Sequence, residues 1–279
     1  MNMNGIVLID KEKGKTSRDV VNDVIKIIGT KKIGHTGTLD PLATGLLILC
    51  VNEGCKLSEL LTGHDKDYIA KVRLGIKTDT YDITGNVIAK TANYHLDKEK
   101  LIEVLNSFLG EYMQEVPMYS AIKVNGKKLY EYAREGKSVS IPSHKVCIKE
   151  IQLLSLDNDS FSFFVTVSSG TYIRSLVNDI GNKLGIPMTM EELRRTRVGN
   201  FKVEAASCLS DIKIIPIDKA LDIKKIELDD NLYKKVSNGV KIKNSYDKSM
   251  VLFMKDSIPI AIYRDSNDGM MRLYRKFNL

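Results

Sequence analysis

Gly34-His35-Thr36-Gly37-Thr38-Leu39-Asp40-Pro41-Leu42-Ala43-Thr44-Gly45 places one carboxylate, Asp40, in a glycine-punctuated loop that runs into the apolar stretch Leu46-Leu47-Ile48-Leu49-Cys50-Val51. Glycine opens backbone conformations closed to other residues, and Pro41 removes a donor and locks its own φ, so the loop is shaped rather than slack. The apolar run that follows has the length and content of a buried strand. A single acid on a shaped loop suits a ligand site. The plain alternative is an Asx-Pro turn whose carboxylate bonds nearby backbone amides.

Outward from this loop, strands and helices intermix. Gly5 to Asp10 predicts a strand, and Thr16 or Ser17 caps a helix with Val20, Val21, Val24, Ile25 and Ile28 at helical spacing. Residues 53–61 predict a short helix, and Tyr68, Ala70, Val72 and Leu74 alternate as in a strand. Asp97 is the expected cap of a helix presenting Leu101, Ile102, Leu105, Phe108 and Leu109 on one face. Strand character returns over 161–168, then a helix with the stripe Ile173, Val177, Ile180 and Leu184, then a strand near 198–203. Without strict alternation of strand and helix, the expected class is α+β, with a mixed, mainly antiparallel sheet flanked by helices.

Two segments depart from that pattern. Residues 117–145 carry prolines, Gly126, Gly136, several tyrosines and a basic cluster, the composition of an insertion standing off the core. Beyond a boundary near Asp222 the short apolar runs 250–254 and 258–263 suggest a small β unit, giving expected domains of 1–223 and 224–279.

Charge is segregated in the same way. Of a net +7, Lys123 to Lys145 holds six Lys/Arg against two Glu, net +4, and Lys234 to Leu279 holds ten against four Asp, net +6. The remainder is therefore near −3, so the basicity sits on two segments able to meet a polyanion. Solvated lysine-rich surface is the bland account of either.

Several classes are disfavoured. The apolar runs are far shorter than the ~18 residues of a membrane span, and Met1-Asn2-Met3-Asn4 lacks the features of a signal peptide. Cys50, Cys55, Cys147 and Cys208 form no Cys-x-x-Cys pair and are not grouped with the histidines, so neither zinc nor disulfides are expected, and a reducing cytoplasm is the expected setting. Gly14-Lys15-Thr16-Ser17 imitates the end of a phosphate-binding loop, but Ile9 stands where that motif requires its first glycine.

The motifs together resemble the TruB family of tRNA pseudouridine-55 synthases, in the bacterial form. The loop 34–45 is similar to that family's catalytic signature. Lys66-Asp67-Tyr68, Thr78-Asp79-Thr80, Pro117 to Lys123, Gly126 to Arg134, Gly170-Thr171-Tyr172-Ile173-Arg174 and Leu193-Arg194-Arg195 follow in the same order. The resemblance spans roughly residues 5–200. One departure is Glu12, where the family usually has proline after the opening Asp-Lys.

The resemblance implies the pseudouridine synthase fold, with a small PUA-like RNA-binding domain at the carboxy end, and isomerisation of a uridine in the T-loop of tRNA without a cofactor. Asp40 would act at the ribose as nucleophile or base, Arg174 would keep it ionised, and Tyr68 would stack on the flipped base. Tyr172 and Leu193 would complete the pocket wall, and His35 would fill the space the base leaves. Lys123, Lys127, Lys128 and Arg134 would meet phosphates. Arg174 is expected to turn out from the core, next to the apolar stripe. The implied partner is the T-arm of tRNA, with no metal, no membrane and no obligatory protein partner, and the protein is expected to be a monomer. A tRNA-folding chaperone and a guide-RNA-dependent synthase are the competing readings.

Overall fold

The computed structural model describes residues 3–279; Met1 and Asn2, part of the amino-terminal stretch considered above, lie outside the described residues. The main sheet comprises β1 (Gly5–Lys11), β2 (Ile33–His35), β3 (Thr44–Val51), β4 (Lys66–Leu74), β5 (Gly110–Glu115), β6 (Ser143–Leu156), β7 (Ser160–Val167), β8 (Met188–Val198), β9 (Phe201–Lys202) and β10 (Ile214–Pro216). Its order is β10-β1-β3-β8-β4-β7-β6-β5, with β2 on β3 and β9 on β8. Every pairing is antiparallel except β3 with β8, where Thr44 and Gly45 lie opposite Arg194 and Arg195. The class is thus α+β with a mixed, mainly antiparallel sheet.

The continuous apolar run of β3 is buried on both faces. Leu46, Ile48 and Cys50 join Ile6 and Leu8 on one side, while Leu47, Leu49 and Val51 join Val7 and Ile9 on the other. On the second side lies α1 (Ser17–Ile28), which offers Val20, Val21 and Val24. Its start follows from Thr16, whose hydroxyl accepts from Asp19 N at 3.0 Å while the Asp19 carboxylate accepts from Thr16 N at 2.9 Å, a reciprocal cap. Each large apolar side chain so buried contributes about 1.5–3 kcal/mol.

A separate core cluster joins β4, β7 and β8 to α2 (Lys98–Asn106) and α4 (Ile173–Leu184), and takes in Leu39, Leu42 and Ala43 from the loop of Asp40. Between them in sequence lies the short α3 (Leu129–Arg134) of the insertion. Ile102 and Leu109, expected on the buried face near α2, are exposed, and Val104 is buried instead. Adjacent helical positions do not share a face, and the helix ends at Asn106. The strand expected near 198–203 is in fact the end of the longer β8, followed by a turn, the two residues of β9 and a 3-10 turn.

A five-stranded sheet follows from Lys224 onward, ordered Lys224–Glu227, Met250–Lys255, Ile258–Asp265, Met270–Lys276, Ile242–Lys243. It does not stand alone. Leu252, Met254, Ile262 and Phe277 pack in the same cluster as Ile6, Leu8 and Ile48. Among the described residues no helix is long and apolar enough to cross a membrane.

Candidate active site

The loop of Asp40 is held at several points. Thr36 N donates to Ile48 O at 3.1 Å and Ala43 N to Asp40 O at 3.0 Å, closing a turn at the acid itself. The Gly14-Lys15-Thr16-Ser17 segment, which only imitates a phosphate loop, braces this one. Ser17 Oγ donates to Leu39 O at 3.1 Å and accepts from Leu39 N at 2.9 Å, and Gly14 N donates to Pro41 O at 2.7 Å. Lys11, almost fully buried, donates from Nζ to Lys15 O at 2.7 Å, Glu12 O at 2.9 Å and Pro41 O at 3.4 Å. Where the loop re-enters the sheet, Gly45 has φ +99°, and a Cβ there would lie 2.2 Å from Arg195 O. Only glycine permits β3 and β8 to meet at this point.

Asp40 and Arg174 form a two-point pair: Nε to Oδ2 is 2.9 Å and Nη2 to Oδ1 is 3.3 Å. Arg174 is not turned outward as the helical stripe suggested; it is 5% exposed. Burial is possible because acceptors surround the guanidinium. Nη1 donates to Thr80 O at 3.0 Å, Nη2 donates to Tyr119 O at 3.1 Å, and Asp82 Oδ2 stands 3.9 Å from Nη1. The turn that launches α4 is itself clamped by the buried Gln114, whose amide oxygen accepts from Tyr172 N at 2.8 Å and whose amide nitrogen donates to Tyr172 O at 3.1 Å.

Beside this pair opens a cavity of about 470 Å³, lined among others by Asp40, Tyr68, Tyr172, Arg174 and Leu193. That volume lies within the range of small-ligand sites, roughly 300–1,000 Å³. Its walls come from the Asp40 loop, β4, β8 and the start of α4, which explains why five residues scattered over 150 positions meet. The insertion also contributes Tyr119, Ser120, Ala121 and Tyr130, so its root is part of the site and does not stand off from it.

His35 does not line the cavity. It is half-buried at the end of β2, its Nδ1 has no partner, and burial followed by the nearby Arg195 and Arg18 pushes its pKa down. Lys123, Lys127, Lys128 and Arg134 are also away from the cavity. Lys127 pairs with Glu135 and lies 5.0 Å from the Tyr132 ring, while Lys128 and Arg134 each lie 5.3 Å from the Tyr130 ring. Two of these cations, Lys128 and Arg134, thus lie beside Tyr130, which also lines the cavity.

Two lining residues were quoted in the motifs but assigned no role: Lys66, at the start of β4, and Arg195, opposite Tyr68 in β8. Lysine two residues before tyrosine, and a second arginine after leucine, were the available signals. With Arg174 they give the cavity three cations against the single lining carboxylate Asp40. No cluster of three or more His, Cys, Asp or Glu suited to a metal ion occurs among the described residues.

The family model described as "TruB family pseudouridylate synthase (N terminal domain)" matches residues 25–173, and that of the "tRNA pseudouridylate synthase B C-terminal domain" matches residues 174–230. Proteins named tRNA pseudouridine synthase B are similar over nearly the full length. The one from Clostridium tetani is 42% identical over 94% of this chain and 93% of its own, and the one from Bacillus subtilis is 39% identical over 94% and 93%. Among solved structures, a chain from an H/ACA ribonucleoprotein bound to a substrate RNA containing 2′-deoxyuridine superposes with TM-score 0.74 at 23% identity, covering 99% of this chain and 86% of that one, a likeness of fold. A chain of a Cbf5-Nop10-Gar1 complex superposes with TM-score 0.71 at 26% identity, covering 94% and 78%. The chain belongs to the TruB family of pseudouridylate synthases.

Proposed function

We propose that this protein isomerises a uridine in the T-loop of tRNA to pseudouridine, acting as a monomer in the cytoplasm without a guide RNA, with residues 1–223 as the catalytic domain and 224–279 as a small RNA-binding domain. The observation that carries the proposal is the Asp40–Arg174 pair at the wall of a nucleoside-sized cavity that Tyr68 also lines.

In this reaction the N1–C1′ bond breaks, the uracil turns, C5 bonds to C1′, and the C5 proton is lost while N1 gains one. Asp40 supplies a carboxylate at the ribose, either attacking C1′ or removing a sugar proton on the way to an unsaturated sugar. The two-point contact with Arg174 holds that carboxylate in place and balances its charge. The uridine must leave its stack, at a cost of a few kcal/mol. Stacking on Tyr68, with Tyr172 and Leu193 closing the wall, offsets part of that cost at about 1–3 kcal/mol per base. His35 lies one step behind the loop, suited to fill the position the base has left in the RNA. Lys123, Lys127, Lys128 and Arg134 hold phosphates of the T-arm, whose folded shape supplies specificity.

Support for guide-free action comes from the insertion, which presents cations of its own, two of them beside Tyr130 of the cavity wall. The test is to incubate the purified protein with unmodified tRNA transcript and no other RNA, and to map pseudouridine. Modification at the T-loop uridine is expected. Binding without modification would favour a folding chaperone, and modification only after adding a guide would favour the guide-dependent alternative.

A further inference from the structure

The three cations lining the cavity are not served alike. Arg174 has Asp40. Arg195 and Lys66, on the paired strands β8 and β4, have no carboxylate within ion-pairing distance among the described residues, yet they are 2% and 7% exposed. Arg195 donates from Nε to Leu46 O at 2.7 Å and from Nη2 to Gly37 O at 3.2 Å. Lys66 Nζ donates to Thr62 O at 3.0 Å and His64 O at 2.8 Å, two of the three donors an ammonium carries. Neighbouring Asp65 is bonded instead to Lys149 Nζ at 2.5 Å. Burial, with repulsion from Arg195 added and only Asp65 opposing, pushes the Lys66 ammonium down to about 8.

Two adjacent buried positive charges without a counter-ion are a costly arrangement unless an anion joins them. Room for one is present. A Cβ built on Gly37 would lie 3.6 Å from Arg195 Nη1 and 3.8 Å from Lys66 Cε, so the bare glycine leaves the space between the two cations open on the cavity side. A uracil carbonyl could accept hydrogen bonds there but would not neutralise the charge. The anion on an RNA substrate is the phosphodiester.

We infer that Arg195 and Lys66 form an anion subsite over Gly37 that takes one of the two phosphodiesters flanking the target uridine, holding the flipped nucleotide by its backbone. This rests on the function proposed above, and it assigns the two residues an anchoring role rather than a catalytic one.

The test uses the full chain and a T-arm stem-loop RNA in which the linkage 5′ or 3′ of the target uridine is replaced by an uncharged methylphosphonate. One of the two replacements is expected to weaken binding to wild type by about tenfold. In Lys66→Met the unmodified RNA should bind about tenfold more weakly, with no further loss from the methylphosphonate, and Lys66→Arg should restore the wild-type pattern. If Lys66→Met does not fold, Lys66→Gln completes the same cycle. The subsite is overturned if neither linkage costs wild type more than about twofold, or if the penalty persists undiminished without the Lys66 charge. Conversion of the unmodified stem-loop by wild type, measured alongside, tests the enzymatic reading independently: conversion without a linkage penalty removes only the subsite, and absence of conversion removes the function.

Discussion

Arg174 donates from Nε to Asp40 Oδ2 at 2.9 Å while its remaining nitrogens reach the carbonyls of Thr80 and Tyr119. The acid's partner is therefore oriented by two further segments, one after β4 and one at the root of the insertion. Asp40→Asn preserves size but not charge or nucleophilicity, so tRNA affinity should stay within a few-fold while pseudouridine formation falls by on the order of 10³ or more. Arg174→Lys cannot keep the planar two-point contact and should lower the rate by about 100-fold. Single-turnover pseudouridine yield with a parallel binding titration checks both, and near-normal turnover in Asp40→Asn would discard the assignment of Asp40.

The insertion's cations make a separate prediction about salt. Replacing Lys127 and Lys128 together by Ala should weaken tRNA binding and reduce the slope of log K against log salt by at most about 1.4–1.8. The Lys127 contact with Glu135 places the expected change toward the lower side of that range, because the lysine already has a partial counter-ion. Titrations between low and moderate salt measure the slope. An unchanged value would mean that these lysines serve only the surface.

Gly45 is a stability prediction of another kind. With φ +99° and Arg195 O only 2.2 Å from where a Cβ would sit, Gly45→Ala forces β3 and β8 apart. A loss of about 3 kcal/mol or more is expected. Urea unfolding reads it as a lower midpoint, and the variant's residual folded fraction should also lose activity, since the parallel contact positions both the Asp40 loop and Arg195.

Glu53 ties the turn after β3 to the carboxy end of the chain. Its carboxylate meets Lys32 Nζ at 2.8 Å and Lys56 Nζ at 2.6 Å and accepts from Asn278 N at 2.9 Å. Burial alone would raise its pKa; the two ammonium groups and the backbone N–H overcome that and hold it down to about 2. A carboxyl depressed on folding stabilises above its ordinary value of 4.5, and that contribution is lost as pH falls toward 2. Glu53→Gln should therefore lower stability at pH 7 by about 1–3 kcal/mol. The gap from wild type should narrow at pH 3, as read by urea midpoints at the two pH values.

Much of this architecture was legible in local sequence. The cap at Thr16, the strand over 46–51 and the alternation from Tyr68 to Leu74 are each set by neighbours within a turn or two, where propensity and periodicity act. The central strand β8 was not. Its sequence, with Glu191, Glu192, Arg194, Arg195 and Arg197, lacks an apolar alternation, and those charges are accommodated only by partners from elsewhere. Glu191 Oε1 accepts from Arg73 at 2.8 Å, Arg197 Nε donates to Asp67 at 2.5 Å, and Arg195 reaches the carbonyls of Leu46 and Gly37.

The chain's own residue order determined that a lone acid would sit on a rigid loop before a buried strand, and that positive charge would gather in an insertion and at the carboxy end. Which cation meets that acid, and which cations are left without one, were decided by the tertiary structure. Burial of Arg174 and Arg195 depends on carbonyls, and for Arg174 a carboxylate, supplied by segments far away in sequence, and a charge can be held out of water only when such groups converge on it in space.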